Sequence, residues 1–340
     1  MKIEFIHKAG DFEALHEQWN GLLDRAITNT PFQRHEYLSV WWATRGGGEW
    51  ESDDLWLAAG RDEEGDLAGL APLFFSRNKD GNPALLLVGS IEISDYLDLI
   101  VSEEQLGEFI AALFDALDQE GPEDWELLDL YNIPEDSPSL DAMSAEAQAR
   151  GWHVDRIRMQ PCPVVYLPDS WEGYLNQLDS KQARELRRKL RKAQGYPASV
   201  DWHFISDRAE LEQAVDTFLA LMANDESKDE FLTDEMRTQF HRMCAEAFDH
   251  GWLQIAFLNV SQQPVFGYVT FDYRERIWVY NSGFDPAHFD LSPGWVLMGN
   301  LIEWAIEEGH EAIDFLRGDE TYKYRLGGED RFIANLKIRR

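Results

Sequence analysis

The predicted elements of this 340-residue chain come in the same order twice, and this repeat constrains the fold more than any other feature. Each half reads as amphipathic helices, a β-hairpin, a further strand, a helix and a buried strand. Turn-forming residues separate the hairpin strands in both halves. The hairpin strands are predicted at 55–59 and 67–75, and again at 253–260 and 265–273. We therefore predict an α/β (α+β) fold, duplicated in tandem, with a mixed and mostly antiparallel sheet flanked by helices in each copy.

Apolar periodicity predicts the remaining elements. Helices are predicted at 11–26, 31–42, 103–117, 171–178, 181–193, 209–222, 235–248 and 293–307. Further strands are predicted at 84–88, 96–101, 125–131, 277–282 and 312–316. The strand–helix–strand crossover in each half should be right-handed. We expect 152–167 to close the first domain, so the predicted domains are 1–167 and 168–340.

The composition excludes several functional classes. A net charge of −32 repels nucleic acid and anionic membranes from most of the surface. Cys162 and Cys244 support neither a disulfide framework nor a zinc site, and the nine histidines show no metal-ligand spacing, so we predict no metal. No apolar run approaches the roughly 20 residues that span a bilayer, and no signal-peptide core is present. We expect a cytoplasmic protein.

The helices of the two crossovers differ in their first turns. The first helix opens with Ser102-Glu103-Glu104-Gln105, a capping box whose carboxylates complement the helix dipole and would repel phosphate. The second opens with Ser292 as N-cap, Pro293 as first residue and Gly294, and it carries no acid before Glu303. Free N–H groups and the dipole therefore predict a phosphate or pyrophosphate site in the second half only.

The predicted helix at 181–193 is strongly basic. Seven cations stand in twelve residues against the single carboxylate of Glu185. Arg184, Arg188 and Arg191 fall on one side of the helix, opposite an apolar stripe. One interpretation is that the protein's own acidic surface neutralises them. The other is a docking site for phosphate, on a cofactor or on an anionic acceptor such as a nucleotide-sugar or lipid headgroup.

Several motifs together resemble the CelD-like acetyltransferase family, which belongs to the GCN5-related N-acetyltransferase (GNAT) superfamily and is related to Fem-type peptidyltransferases. The resemblance covers nearly the whole chain. The motifs that carry it are Gly89-Ser90, Ser94-Asp95-Tyr96-Leu97-Asp98, the basic run from Ser180 to Lys189, Gly283-Phe284-Asp285-Pro286, Ser292-Pro293-Gly294, Ile302-Glu303-Trp304, Asp314-Phe315-Leu316-Arg317-Gly318-Asp319-Glu320 and Tyr322-Lys323-Tyr324-Arg325-Leu326-Gly327.

The resemblance implies two fused acetyltransferase folds, with acetyl-CoA or another acyl-CoA as co-substrate in the second domain and none in the first. In that superfamily the CoA diphosphate binds at the start of the helix after the fourth strand. The residues that correspond to this site here, with the strand before it, are Tyr280, Asn281, Ser292, Pro293, Gly294 and Trp295. The chain departs from the superfamily's usual phosphate loop, which carries Arg or Gln and spaced glycines.

Transfer of an acyl group from a thioester to an amine needs a base, an oxyanion site and an acid for the thiolate. Asp319 and Glu320 are the candidate bases, directly or through water. Tyr322 or Lys323 is the candidate for the oxyanion or the thiolate, and Lys323 falls nearest the position of the superfamily's tyrosine. Alternatively, the polar turn is only salt-bridged. The predicted substrate-binding residues are Arg184, Arg188, Arg317, Asp95 and Tyr96.

We therefore predict an acyl-CoA-dependent N-acyltransferase that acts on a primary amine of an envelope precursor, an amino sugar or a long-chain base. The alternatives are a Fem-type peptidyltransferase that uses aminoacyl-tRNA, which the acidic surface disfavours, and a non-catalytic binding protein with the same fold. Nucleic acid is an unlikely partner for the same reason. Peripheral membrane contact through the basic helix at 181–192 is a further expectation.

Overall fold

The computed structural model describes residues 1–52 and 54–340, and the chain forms two compact units. The first unit consists of Met1–Gln160 and Phe332–Arg340, and the second of Pro161–Arg331. The last nine residues thus belong to the first unit although they come at the end of the sequence. The predicted domain boundaries, 1–167 and 168–340, assign these last nine residues to the second domain. The division of the chain into these two domains stays a prediction.

The first unit contains two sheets and five α-helices within its described residues. Its strands are β1 (Lys2–Ile6), β2 (Asp54–Leu55), β3 (Leu57–Arg61), β4 (Leu67–Ala71), β5 (Leu73–Arg77), β6 (Pro83–Leu87), β7 (Ile100–Val101) and β8 (Leu127–Pro134). Its helices are α1 (Ala9–Glu13), α2 (His16–Leu23), α3 (His35–Gly48), α4 (Leu106–Glu120) and α5 (Pro138–Ala149). One sheet has the order β1-β3-β4-β7, and in the other β8, β6, β5 and β2 are neighbours in that order. Buried Leu, Phe and Trp side chains form the core of this unit.

A long loop between β6 and β7 is held by buried polar contacts. The Glu49 carboxylate accepts hydrogen bonds from the backbone N–H groups of Ile91 and Glu92, at 3.1 and 3.2 Å. Asp98 is 1% exposed and accepts hydrogen bonds from the hydroxyls of Thr28, Ser137 and Ser139 and from the N–H of Leu99. Burial raises the pKa of Asp98. These contacts fix the loop although it has no regular structure.

The second unit contains one sheet flanked by helices. Its helices are α6 (Trp171–Gln177), α7 (Ser180–Gln194), α8 (Leu211–Met222), α9 (Glu226–Phe231), α10 (Asp234–Asp249), α11 (Pro293–Glu307) and α12 (Thr321–Arg325). Its strands are β10 (Val200–Phe204), β11 (Leu253–Val260), β12 (Gln263–Tyr273), β13 (Arg276–Phe284) and β14 (Ala312–Asp314), joined by the end of β9 (His153–Tyr166). The order is β10-β11-β12-β13-β14-β9, and β15 (Glu329–Arg339) completes the chain. Only the β13–β14 pair is parallel among these neighbours.

Helices α7 and α11 pack closely in the second unit. A Cβ at Gly299 on α11 would lie 3.1 Å from Leu186 and 3.2 Å from Leu190 of α7, so the glycine allows this close approach. The buried residues of α7 are Ala183, Leu186 and Ala193, as the apolar stripe predicted. The solvent face of α7 therefore carries its cations, and its flank borders the start of α11.

The structure corrects several predicted element bounds. The helix predicted at 11–26 is two helices, α1 and α2, and the strand predicted at 96–101 is confined to β7. Helix α4 begins at Leu106 with Gln105 as N-cap and no side-chain capping bond, so the predicted capping box at Ser102 is wrong. The second hairpin turns through Ser261 and Gln262, whose φ values of 52° and 66° match a two-residue turn, which places Pro264 in β12. Helices α5, α9 and α12 and strands β9, β10 and β15 were not predicted.

Gly283 offers a test of the packing between β13 and α8. An added Cβ would lie 2.5 Å from the backbone nitrogen of Met222 and 2.7 Å from the carbonyl carbon of Leu221. Moving these backbone atoms apart would cost free energy. We expect Gly283→Ala to lower the free energy of unfolding by about 1–3 kcal/mol, measured by urea denaturation. Gly195→Ala in the same unit, where the nearest atom is 3.6 Å away, should change it by about 0.5 kcal/mol or less. Equal effects of the two variants would contradict the packing shown.

Candidate acyl-transfer site

Strands β13 and β14 diverge in the middle of the second-unit sheet. Their parallel pairing covers three residue pairs and ends at Trp278 and Asp314, whereas β13 continues to Phe284. Beyond Asp314 the chain stays with β9, because the N–H of Phe315 donates to Pro163 and that of Gly318 to Pro161. Among the residues that the structure describes, no strand therefore pairs with β13 beyond Trp278 on that side. The divergence forms a cleft in the sheet.

A β-bulge lies on the β13 side of this cleft. Val269 of β12 pairs with Asn281 and Thr270 pairs with Val279, so Tyr280 is the extra residue. The Tyr280 ring packs against the rings of Phe240 and Phe271, at centroid distances of 5.8 and 5.1 Å. Asn281 accepts a hydrogen bond from the N–H of Ser282 at 2.9 Å. The predicted ligand residues Tyr280 and Asn281 thus lie at the bulge, with Tyr280 directed to an aromatic cluster.

Lys228 of α9 reaches this bulge. Its Nζ donates to Asn281 Oδ1 at 2.9 Å and to the carbonyl oxygen of Ser282 at 2.6 Å. Burial lowers the pKa of Lys228, and the negative charges of Asp225 and, to a smaller extent, Glu320 partly offset this effect. Sequence reasoning missed Lys228 because no motif places the short α9 beside β13. A cation at the β13 edge of the cleft is a donor that the chemistry of the cleft can use.

Helix α11 begins beyond the end of β13, and its first turn has fewer free N–H groups than predicted. Ser292 is the N-cap as predicted, but its φ of 55° is left-handed and its side chain makes no capping bond. The N–H groups of Trp295 and Val296 both donate to the carbonyl oxygen of Ser292. Pro293 has no N–H, so Gly294 carries the one amide of this turn without an acceptor among the described residues. The anion-binding capacity of the turn therefore needs another donor.

The further donor is Lys189 of α7. Its Nζ donates to Ser292 Oγ at 2.8 Å and lies 5.0 Å from the centroid of the Trp295 ring. Burial lowers the pKa of Lys189, and the Glu185 carboxylate, 3.7 Å from its Nζ, partly offsets this effect. The α11 start thus combines an ammonium with a helix dipole, and both favour a phosphate. Lys189 flanks the buried stripe of α7, and that position could have identified it from the sequence.

Gly294 has a packing role that differs from the predicted one. We predicted that Gly294 lets a ligand approach the backbone. A Cβ there would lie 3.0 Å from two atoms of the Phe266 ring, on the protein side of the turn. The OH of Tyr268 lies 3.5 Å from the carbonyl oxygen of Gly294. A glycine is thus needed to seat the helix start on β12.

The predicted substrate residues on α7 face solvent. Arg184 is exposed, and its Nε donates to the carbonyl oxygen of Ser180 at 2.9 Å. Arg188 forms two hydrogen bonds of 2.8 Å with Glu185. This guanidinium lowers the pKa of Glu185 to about 2. Arg188 is therefore already paired, and the roles of Arg184 and Arg188 in substrate binding stay predictions.

Lys323 holds the β14 side of the cleft. It is 2% exposed, and its Nζ donates to the carbonyl oxygens of Leu316, Arg317 and Gly318 at 3.1, 2.7 and 3.3 Å. Leu316 and Gly318 have φ values of 57° and 117°, so this ammonium stabilises a tight left-handed turn. Glu320 Oε2 lies 2.9 Å from the same Nζ. The contacts of Lys323 are therefore those of a positioning residue, and Arg317 contributes its backbone carbonyl.

The acidic and phenolic candidates lie next to this turn. The side chain of Glu320 is 55% exposed, and Asp319 is exposed as well. The Tyr322 ring meets that of Phe315 edge-on at a centroid distance of 5.8 Å. Burial raises the pKa of Tyr322, as does the negative charge of Glu320, so its hydroxyl stays protonated at neutral pH. Glu320 thus forms an ion pair with Lys323, and its negative charge also raises the pKa of Lys228 and of Tyr322.

Asp95 and Tyr96 lie in the first unit, in the loop between β6 and β7. They are 8% and 5% exposed. The hydroxyl of Thr30 donates to the carbonyl oxygen of Tyr96 at 3.3 Å. Their predicted role in substrate binding is untested by these contacts, which show a fixed loop.

Three comparisons with known proteins bear on this architecture. Residues 180–324, which include α7, the cleft and most of α12, match the family described as an acetyltransferase (GNAT) domain. No curated protein sequence matches the chain. A solved tandem GNAT protein from the clavulanic acid biosynthesis pathway has a TM-score of 0.50 at 16% identity, over 98% of both chains.

This is the tandem GNAT fold. The crystal structure of FemX is also similar, with a TM-score of 0.64 at 12% identity over 98% of this chain and 97% of that chain. The structure of L-PGS from Bacillus licheniformis has a TM-score of 0.55 at 14% identity, over 95% and 91%. These identities show the fold alone. The predicted tandem fold is confirmed, and the GNAT match supports an acyltransferase in general, whereas membership of the CelD-like family stays a prediction.

Among the described residues of this tandem GNAT fold, no helix combines the length and the apolar composition that a bilayer crossing requires.

The positioning role of Lys323 can be tested by stability. In Lys323→Met three backbone carbonyls lose their buried donor, so we expect the free energy of unfolding to fall by about 1–3 kcal/mol in chemical denaturation. Lys181→Met removes a cation from the exposed side of α7 and should change it by about 0.5 kcal/mol or less. A Lys323→Met protein as stable as the wild type would show that the turn does not depend on this ammonium.

Proposed function

We propose that this protein is an acyl-CoA-dependent N-acyltransferase that transfers an acetyl or longer acyl group to a primary amine. The observation that carries the proposal is the Lys189 ammonium at the uncapped start of α11, next to the open end of the β13–β14 cleft. A diphosphate placed there would pair with Lys189, with the Gly294 N–H and with the helix dipole. The acyl-bearing arm would then extend along β13 beyond the end of its pairing with β14.

The proposed reaction is a direct attack on the thioester. The amine nitrogen bonds to the carbonyl carbon, the carbon–sulfur bond breaks, and the nitrogen loses a proton. Glu320 is the preferred base because its exposed carboxylate is held by Lys323 and interacts with Lys228; Asp319 or a water molecule is the alternative. Tyr322 is the preferred donor of the proton that the thiolate takes up, because its hydroxyl stays protonated.

The oxyanion of the tetrahedral intermediate needs donors fixed beforehand. Lys228 and the N–H of Ser282 lie together at the bulge and are the donors that we assign to this role. In the structure both donate hydrogen bonds to Asn281 Oδ1. When the thioester binds, its carbonyl oxygen would replace Asn281 Oδ1 as the acceptor of these hydrogen bonds. We leave Lys323 the role of holding the opposite turn in place.

The acceptor is proposed by class only. We propose an amine of an envelope precursor, an amino sugar or a long-chain base, and a cytoplasmic location with no resident metal. The decisive experiment is a CoA-thiol release screen over several acyl-CoA donors and an amine panel. Amine-dependent thiol release supports the proposal. Binding of CoA without release on any amine would favour a non-catalytic protein, and retention of tRNA without CoA binding would favour the aminoacyl-tRNA alternative.

Lys189→Met tests the diphosphate site. Loss of a charge-assisted contact to phosphate of about 1.5–3 kcal/mol should weaken CoA binding by about 10- to 100-fold in titration calorimetry. Arg188→Met makes the same change in charge one residue away, at a side chain paired with Glu185, and should change the Kd by less than about threefold. An equal loss of CoA affinity in both variants would show that the net charge of α7, and not a specific contact of Lys189, determines binding.

Glu320→Gln tests the base. We expect kcat to fall by about 10²- to 10⁴-fold with little change in CoA affinity, because the amide cannot take up the proton of the amine. Asp319→Asn is the matched control and should retain most activity; the reverse result would move the assignment to Asp319.

Lys228→Met tests the proposed oxyanion donor. In the same assay Lys228→Met should lower kcat while CoA still binds. Full activity of that variant would remove Lys228 from the oxyanion site.

A further inference from the structure

The exposed side of α7 is a surface of one charge. Helical geometry puts Lys181, Arg184, Arg188 and Arg191 on the side opposite the buried residues, and all four are exposed. We call this surface, with the flanking Arg187 and Lys192, the basic face. Residues 181–192 hold seven of the 31 lysines and arginines of a chain whose net charge is −32. Such a concentration needs a physical reason.

The protein's own acids account for only part of this charge. Arg187 pairs with Glu172, Arg188 with Glu185 and Lys192 with Asp290. Within the described part of the chain, no carboxylate lies within 4.0 Å of Lys181, Arg184 or Arg191. The basic face therefore keeps three exposed cations without an acidic partner, which leaves them available to an external anion.

An exposed aromatic ring stands beside the basic face. Phe289 is 76% exposed, the highest value among the exposed large hydrophobic residues that the structure describes. The residue after it, Asp290, accepts hydrogen bonds from Lys192 Nζ, in the last turn of α7, and from the hydroxyl of Tyr196, just beyond the end of that helix. These contacts tie the segment that carries Phe289 to the basic face. Bare cations next to an exposed ring are typical of surfaces that bind the lipid–water interface.

We propose that the basic face and Phe289 dock this protein on an anionic membrane surface, with the arginines at the lipid phosphates and the Phe289 ring at the boundary of the acyl chains. The acidic remainder of the protein does not prevent this, because charges beyond about 8 Å from the contact are largely screened at physiological ionic strength. The proposal goes beyond acyl transfer and does not rest on it. Since Lys189 belongs to the same helix, docking would bring the start of α11 close to the lipid.

Vesicle binding by the full-length chain tests the proposal. Cosedimentation should show binding to vesicles of phosphatidylcholine with phosphatidylglycerol, weak binding to phosphatidylcholine alone, and loss of binding at high salt. The double variant Arg184→Glu with Arg191→Glu should bind the anionic vesicles about tenfold less or weaker. Arg77→Glu with Arg242→Glu makes the same change in net charge at exposed arginines elsewhere and should bind as the wild type does. Phe289→Ser should weaken binding without any change in charge.

Three outcomes would overturn the proposal. The first is no dependence of wild-type binding on phosphatidylglycerol. The second is an equal loss in the Arg77→Glu/Arg242→Glu control, which would show that net charge alone decides. The third is binding of tRNA or CoA, in place of vesicles, that depends on Arg184 and Arg191, which would make the basic face a nucleic-acid or cofactor site. Circular dichroism of each variant excludes misfolding, and thiol release from acyl-CoA, measured without vesicles, reports separately on acyl transfer.

Discussion

The hydrogen bond from Lys189 to Ser292 connects the elements on which the candidate site depends. It joins α7, the helix with the concentrated positive charge, to the first turn of α11. Burial lowers the pKa of this lysine, and the Glu185 carboxylate, 3.7 Å from its Nζ, offsets part of that effect. The packing of Gly299 against Leu186 and Leu190 holds the two helices close enough for the contact. Under the proposed function, a diphosphate at the α11 start would be a further negative charge beside this ammonium.

The cleft has a lysine on each side, and the two lysines differ in what they do. Lys323 is buried and saturated by carbonyl oxygens, so it shapes the turn after β14. Lys228 is bonded to a side-chain oxygen and a carbonyl at the β13 bulge, where a substrate oxygen could replace the side chain. Glu320 forms an ion pair with Lys323. The chemistry that we propose for the site assigns a positioning role to Lys323 and contact with the substrate oxygen to Lys228.

Local patterns in the sequence were enough to predict the tandem fold, the start of α11 and the buried stripe of α7, because apolar periodicity and Ser-Pro-Gly chemistry act over a few residues. Contacts between distant segments could not be predicted in the same way. The free amides expected at Ser292–Trp295 are reduced by local sharing of the Ser292 carbonyl, and the missing donor comes from Lys189, far away in sequence. Lys323 was expected to act on substrate because the motif contains it, and only its three carbonyl partners reveal the positioning role. Lys228 lies on a six-residue helix that no periodicity marks.

The proposed activity depends on one binding event, that of a diphosphate at the start of α11. A crystal structure of the protein with acetyl-CoA is the most direct measurement of it. We expect one nucleotide per chain, with its diphosphate within hydrogen-bond distance of Lys189 Nζ and the Gly294 N–H and its thioester directed towards the β13 bulge. Density for the nucleotide in the first unit, or a diphosphate bound away from the start of α11, would contradict the account.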